Sequence, residues 1–311
     1  MRDVLRRLIT GELDEDEALA QIRRLQLDEL GGRARLDLGR FLRRGIPEVV
    51  LASGKTPREA ARLAIVLAEQ QGQGLISRMT DEHRSALVEA ASGMRIVEYH
   101  ASGRVLREGF APVPLDGKVG ILTGGTSDVP VADEARMVIE ACGLQAQLEA
   151  DLGVAGLHRF VGPLAAMLEW GADVLVVAAG MDGVLPGLVA GLIDIPVIGL
   201  PVSTGYGRGG GGEGALTTML QSCSTGLSVV NIDNGIGAGT AAVLIAQGRL
   251  RGRSTATTAS TSAPTSSAPK KPAATVRDTS APPGTANTRA SRATATRMPA
   301  SSHGKPRRGR P

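Results

Sequence analysis

The sequence predicts an α/β protein whose main body is a flavodoxin-like, doubly wound parallel sheet, joined to a smaller N-terminal α/β unit and a disordered C-terminal tail. Three observations carry that prediction. Between Gly117 and Leu250, apolar β-branched runs alternate five times with helical patterns. The connections are short, so each strand must return parallel to the last, and parallel crossovers place helices on both faces of the sheet. Finally, glycine-rich polar segments follow the ends of the apolar runs, the edge where ligands bind in this architecture. Aromatic residues make up only 2% of the chain, so the core must be aliphatic.

The chain of 311 residues is long enough for two folded units and a tail. Residues 1–115 read as the smaller unit. Helical patterns over Arg2–Ile9 and Asp14–Leu25 precede "PEVVLASGKTPREAARLAIVLAEQQG", in which a strand runs into a helix. Thr56, Pro57 and Glu59 form a capping box with proline at the first helical position. A second pair, "GLISRM" and "DEHRSALVEAASG", and a strand "MRIVEYHAS" complete the unit. "GKT" at Gly54–Thr56 is not a phosphate loop, because the first glycine of that motif would fall on Val49.

Residues 116–250 hold the five pairs. They are "KVGILTG" with "VADEARMVIEACG", "QAQLEAD" with "GLHRFVGPLAAMLEWG", "ADVLVVAAG" with "VLPGLVAGLID", "IPVIGLPV" with "GALTTMLQSC", and "LSVVNID" with "GAGTAAVLIAQGRL". Residues 251–311 are rich in Ser, Thr, Ala and Pro and poor in large apolar side chains, a composition that cannot offset the entropy of ordering.

The charge balance excludes some partners. Residues 251–311 carry 12 Lys/Arg against Asp278 alone, a net of +11, which leaves −7 on the first 250 residues of a chain whose total is +4. The body is acidic, and the basic tail has no aromatic residues for stacking on bases, so nucleic-acid binding is not expected. Two widely separated cysteines, Cys142 and Cys223, suit neither a disulfide framework nor a zinc site. Asp194, Pro196 and Pro201 interrupt the most apolar stretch, and the N-terminus is a charged amphipathic pattern, so neither a membrane span nor a signal peptide is expected. A cytoplasmic location follows.

Four segments fall at the ligand edge. In "TGGTSD", Gly124 and Gly125 permit close backbone approach, Thr126 and Ser127 supply hydroxyls, and Ser127 or Asp128 can cap; the segment suits either a phosphate or an ordinary capped turn. "AAGMDG" brings Gly180, Met181 and Asp182, with Asp182 able to act as a base, hold a hydroxyl group or cap the next helix. "PVSTGYGRGGGGEG" contains Ser203, Gly205 and one cation, Arg208, and is too rich in glycine for regular structure, as a lid or a phosphate-contacting loop would be. "NIDNG" places Asn231, Asp233 and Asn234 as a polar lining. Cys223 sits at a helix-to-strand junction among Gln221, Ser222, Ser224 and Thr225, a polar setting unlike the helical face that holds Cys142. The adjoining helix end carries the negative dipole pole, which a cationic substrate would offset.

These motifs, "TGGTSD", "AAGMDGVLPGLVAGL", "IPVIGLPVSTGYG" and "LQSCSTGLSVVNIDNGIGAG", together with the N-terminal "GIPEVVLASGKTP", resemble the LarB family, pyridinium-3,5-biscarboxylic acid mononucleotide synthases of nickel-pincer nucleotide biosynthesis. The catalytic domain of that family is similar to the aminoimidazole ribonucleotide carboxylase/mutase of purine synthesis. The resemblance covers Met1 to Leu250. It implies nicotinic acid adenine dinucleotide as substrate, carbon dioxide or bicarbonate as co-substrate, carboxylation at pyridinium C5, phosphoanhydride hydrolysis with release of AMP, and an octamer. It assigns the catalytic cysteine to Cys223 and leaves a Mg2+ requirement open. Purine-pathway relatives carry a histidine in an "AHLPG" segment where this chain has Asp182, which speaks against the purine reaction as the alternative.

Overall fold

The computed structural model describes residues 2–18, 28–30 and 34–261. After α1 (Arg2–Ile9), β1 (Asp28–Leu30) pairs antiparallel with β2 (Ala34–Leu36), and a short α2 (Arg40–Arg44) follows. A four-stranded sheet then takes the order β3-β4-β6-β5. Its parallel pair, β3 (Val49–Leu51) and β4 (Gln73–Ser77), is joined by α3 (Pro57–Gln71). The α3 start behaves as its residues dictate: the Glu59 amide donates to Thr56 Oγ1 at 3.3 Å and the Thr56 amide donates to the Glu59 carboxylate at 3.1 Å. Such a box contributes about 1 kcal/mol. After α4 (Asp81–Ala90), β5 (Arg95–Tyr99) and β6 (Ser102–Leu106) close an antiparallel hairpin, and β6 pairs with β4. The sequence reading placed a single strand here, because Arg104 breaks the apolar pattern of β6, yet Arg104 is buried beside Gln73 and Tyr99.

The second sheet is parallel throughout, in the order β11-β10-β9-β7-β8. Its strands are β7 (Lys118–Thr123), β8 (Gln145–Glu149), β9 (Val174–Ala179), β10 (Val197–Pro201) and β11 (Leu227–Val229). Numbered along the chain this is 2-1-3-4-5, the flavodoxin-like order, with its switch point between β7 and β9. Alternate residues of the strands feed two cores. Ile121, Val176 and Ile198 face α5 (Val129–Ala141) and α9 (Gly235–Thr261), whereas Leu122, Leu175 and Val177 face α6 (His158–Trp170), α7 (Leu185–Ala190) and α8 (Glu213–Leu220). Each fully buried Leu, Ile or Val side chain contributes roughly 1.5–3 kcal/mol, which lets a core nearly free of aromatics hold the sheet. Small residues set the spacing of α5 and α9: a Cβ on Gly239 would lie 2.7 Å from the Ala135 carbonyl oxygen.

α5 packs against both sheets, and one apolar cluster joins Ile46, Leu75 and Tyr99 of the N-terminal part to Met137, Val138 and the second sheet. Residues Met1–Ala263 accordingly form one unit. α9 runs to Thr261, past the boundary at Arg251 suggested by composition, by about three helical turns. The rest of the expected tail, and most of the helix expected over Asp14–Leu25, lie outside the described residues. Among the described residues no helix is long and apolar enough to cross a membrane.

Candidate active site

The four segments after β7, β9, β10 and β11 meet at the carboxyl edge of the parallel sheet and are hydrogen bonded in series. Asp128, at the start of α5, is buried, and its carboxylate accepts from the Gly125 amide at 2.8 Å and from the Gly180 amide at 3.2 Å. It therefore ties "TGGTSD" to "AAGMDG". Burial pushes the Asp128 carboxyl above its ordinary range, the Asp233 charge adds to that, and the two amides pull it back. The next link runs from the Met181 amide to the Thr204 carbonyl at 2.9 Å. Gly180 makes this approach possible, since a Cβ there would sit 2.4 Å from the Thr204 carbonyl oxygen. The last link has the Ser203 amide donating to Asp233 Oδ1 at 2.8 Å while the Asp233 amide donates to the Pro201 carbonyl at 2.9 Å.

Two neighbouring cavities open at this edge. The first, about 910 Å3, is lined by Gly124, Gly125, Ser127, Asp128, Gly180, Met181, Asp182 and Gly205 of the residues singled out from the sequence. The Gly153–Ala155 segment after β8 and Tyr206 also line it; the sequence reading missed the first because it belongs to no polar glycine cluster, and did not single out Tyr206 within the glycine-rich segment after β10. The second cavity, about 940 Å3, holds Cys223 with Arg208, Glu213, Gln221 and Ser222. Gly183 and Val184 line both. Asp182 and Cys223 thus stand on either side of a shared wall, and both are exposed.

Asp182 does not cap the following helix, since α7 has no side-chain cap. Ser127 is exposed at the cavity, while Thr126 and Ser203 lie outside both linings. Asn231 and Asn234 serve the backbone: Asn231 Oδ1 accepts from the Ile232 amide at 2.9 Å and Asn234 Oδ1 from the Gly237 amide at 2.8 Å. They shape the turn into α9. Cys142 is buried, its thiol donates to the Gly45 carbonyl at 3.5 Å, and burial pushes that thiol up to about 12. It borders a separate, largely apolar cavity of about 530 Å3 at the opposite edge of the sheet.

Among the described residues no group of three or more His, Cys, Asp or Glu side chains is placed to hold a metal ion. The donor set at this edge is hydroxyls, amides and single carboxylates, which form no cradle for a resident Mg2+, and no chemical step below runs through one.

Residues 118–260 match the AIR carboxylase family, and residues 27–109 match the LarB/PurE-like N-terminal domain. An uncharacterized protein of Methanocaldococcus jannaschii is 40% identical over 253 residues, which span 79% of this chain and 97% of that protein. The chain belongs to the AIR carboxylase family, in the form that carries the LarB/PurE-like N-terminal domain. N5-carboxyaminoimidazole ribonucleotide mutases are more distant. That of Thermotoga maritima is 28% identical over 130 residues, 40% of this chain and 66% of the mutase. That of Pyrococcus abyssi is 36% identical over 91 residues, 28% of this chain and 50% of the mutase. Family membership supports a carboxylase-type reaction at the edge just described.

Proposed function

We propose that this protein carboxylates the pyridinium ring of nicotinic acid adenine dinucleotide at C5 and hydrolyses its phosphoanhydride, releasing AMP and pyridinium-3,5-biscarboxylic acid mononucleotide. One observation carries the reading: an exposed thiol, Cys223, and an exposed carboxylate, Asp182, flank one wall at the carboxyl edge of the sheet, with the "TGGTSD" turn beside them.

A pyridinium ring is electron-poor and does not attack carbon dioxide. Addition of the Cys223 thiolate at C4 forms a C–S bond and moves an electron pair onto the ring nitrogen, leaving a dihydropyridine whose C5 is an enamine carbon. C5 then forms a bond to carbon dioxide and the ring becomes an iminium. Asp182 removes the C5 proton, the enamine re-forms, and the C–S bond breaks with its electron pair returning to sulfur. The pyridinium is restored with one proton released and no oxidant consumed, which is covalent catalysis by a group that adds and leaves. Ser127 and its turn at the start of α5 are suited to the dinucleotide phosphates, with Arg208 across the shared wall as a further cation.

Exposed apolar side chains on the catalytic part, among them Val161, Met181, Val184, Leu192 and Leu220, support self-association, the octamer being the assembly proposed; light scattering of the purified protein tests it. Similarity to the mutases favours a second reading, a carboxylase or mutase acting on an aminoimidazole ribonucleotide. That reaction needs no thiol. Incubation with nicotinic acid adenine dinucleotide and isotopically labelled bicarbonate, followed by mass spectrometry, distinguishes the two. Label in a pyridinium mononucleotide together with AMP supports the first reading. Turnover confined to the aminoimidazole substrate supports the second.

A further inference from the structure

One side chain of the N-terminal part reaches a loop of the site. Arg78, in the turn between β4 and α4, donates from Nη2 to the Asp233 carbonyl at 2.6 Å, a contact between residues 155 apart in sequence. Its Nε lies 3.6 Å from Glu134 Oε1 on α5, and the Glu134 side chain is only 7% exposed. Glu134 in turn accepts from the Ile236 amide at the start of α9. One guanidinium and one buried carboxylate therefore grip both ends of the Asp233–Ile236 turn.

The backbone on each side of this contact is unusual. Arg78 has φ 56° and Asp233 has φ 54°, left-handed conformations that side-chain-bearing residues adopt only when their surroundings enforce them. The Asp233 turn is also the last link of the series across the carboxyl edge, since the Asp233 carboxylate holds the Ser203 amide and the adjacent Thr204 and Gly205 line the first cavity. Its own helix α4 is capped independently of Arg78, by Thr80 and His83.

We propose that Arg78 is a positioning residue, through which the N-terminal part fixes the Asp233 turn and hence the Ser203–Gly205 wall of the site. The role of the N-terminal part is then to hold an active-site loop rather than to carry chemistry. The kinetic expectation below rests on the function proposed above, whereas the exchange experiment does not.

The test compares the full chain with Arg78→Ala and Arg78→Lys. Native-state hydrogen exchange should show the Ser203 and Asp233 amides opening about tenfold faster in Arg78→Ala, with β4 and β6 amides unchanged, because one charged donor is lost locally. Arg78→Lys keeps a cationic donor and should recover part of the protection. In turnover of nicotinic acid adenine dinucleotide with bicarbonate, Arg78→Ala should lower kcat about tenfold with a smaller change in KM, and Arg78→Lys should recover part of kcat. Faster exchange spread evenly over both sheets, or wild-type protection of Ser203 and Asp233 in Arg78→Ala, overturns the proposal. If the wild-type protein does not turn over that substrate, the functional reading fails and the exchange result alone decides the role of Arg78.

Discussion

Replacing Glu134 with glutamine should stabilise the protein at pH 8 and have little effect at pH 4. Burial raises the Glu134 carboxyl from 4.5 to about 7, with Asp233 adding to the rise and Arg78 and the Ile236 amide opposing it. On α5 itself, the neighbouring Asp133 is engaged with Arg136 and with His100. Below the unfolded-state value both states hold the proton and the group contributes nothing. Between 4.5 and about 7 the folded state holds a proton that the unfolded chain has lost, so stability falls as pH rises, and above that range the cost is fully expressed. A shift of this size corresponds to about 3 kcal/mol, and the side chain is too buried for water to screen it. Glutamine has the shape of the neutral acid and keeps an oxygen for the Ile236 amide, but its NH2 group meets Arg78 less favourably. A net gain of roughly 1–3 kcal/mol at pH 8 is expected, or about 2–4 °C in Tm for each kcal/mol. Urea unfolding of both proteins at pH 8, pH 6 and pH 4 measures it. A variant less stable at pH 8, or a difference that does not change with pH, would refute the reasoning.

Cys223→Ser should lower carboxylation by several orders of magnitude, whereas Cys142→Ser should leave turnover intact; intact-mass detection of a thiol adduct with the dinucleotide, present in wild type and absent from the Cys223 variant, checks the covalent step. Asp128→Ala strands the half-buried Gly125 and the buried Gly180 amides, so it should cost about 2 kcal/mol in unfolding free energy and weaken dinucleotide binding by calorimetry. Gly180→Ala places a methyl group 2.4 Å from the Thr204 carbonyl and should depress turnover far more than Gly54→Ala, where the added carbon meets nothing within 4 Å. A chain ending at Thr261 should keep full activity, because α9 and the AIR carboxylase match end there or one residue before; loss of most turnover in a folded truncation would assign the remaining residues a role.

The parallel sheet was legible because each of its strands and helices keeps one period: β9 is apolar at every position from Val174 to Ala179, and its neighbours are separated by turns with glycine or proline. The four ligand-edge segments were legible for the same reason, since glycine marks where chain must approach chain. What the local sequence could not disclose is the pairing of distant groups. Asp128 looks like a helix cap, yet its second partner, Gly180, is 52 residues away. Asn231 and Asn234 look like ligand donors, and nothing in the local sequence signals that their oxygens also accept from amides one and three residues on. Glu134 did leave a signal: it shares a helical face with Val131, Val138 and other apolar positions, so an acid is carried into the core between the sheets.

Burial sorts the polar side chains of the site into two kinds. Asp128 and Glu134 are buried, Asp233 is half-buried, and all three have their carboxylate oxygens engaged with backbone amides, so they are spent on holding loops together. Ser127, Asp182, Arg208 and Cys223 are exposed at the cavity walls. A group that must bond to a substrate atom and then release it needs that freedom, and a group that must not move needs the opposite. The wall between the thiol and the carboxylate, Gly183–Val184, belongs to the rigid set: it is fixed on one side by the packing of Gly183 against Ala215 and on the other by the Asp128–Gly180 bond. A fixed wall is the kind of preorganisation on which the proposed addition at C4 and proton removal at the adjacent C5 would draw.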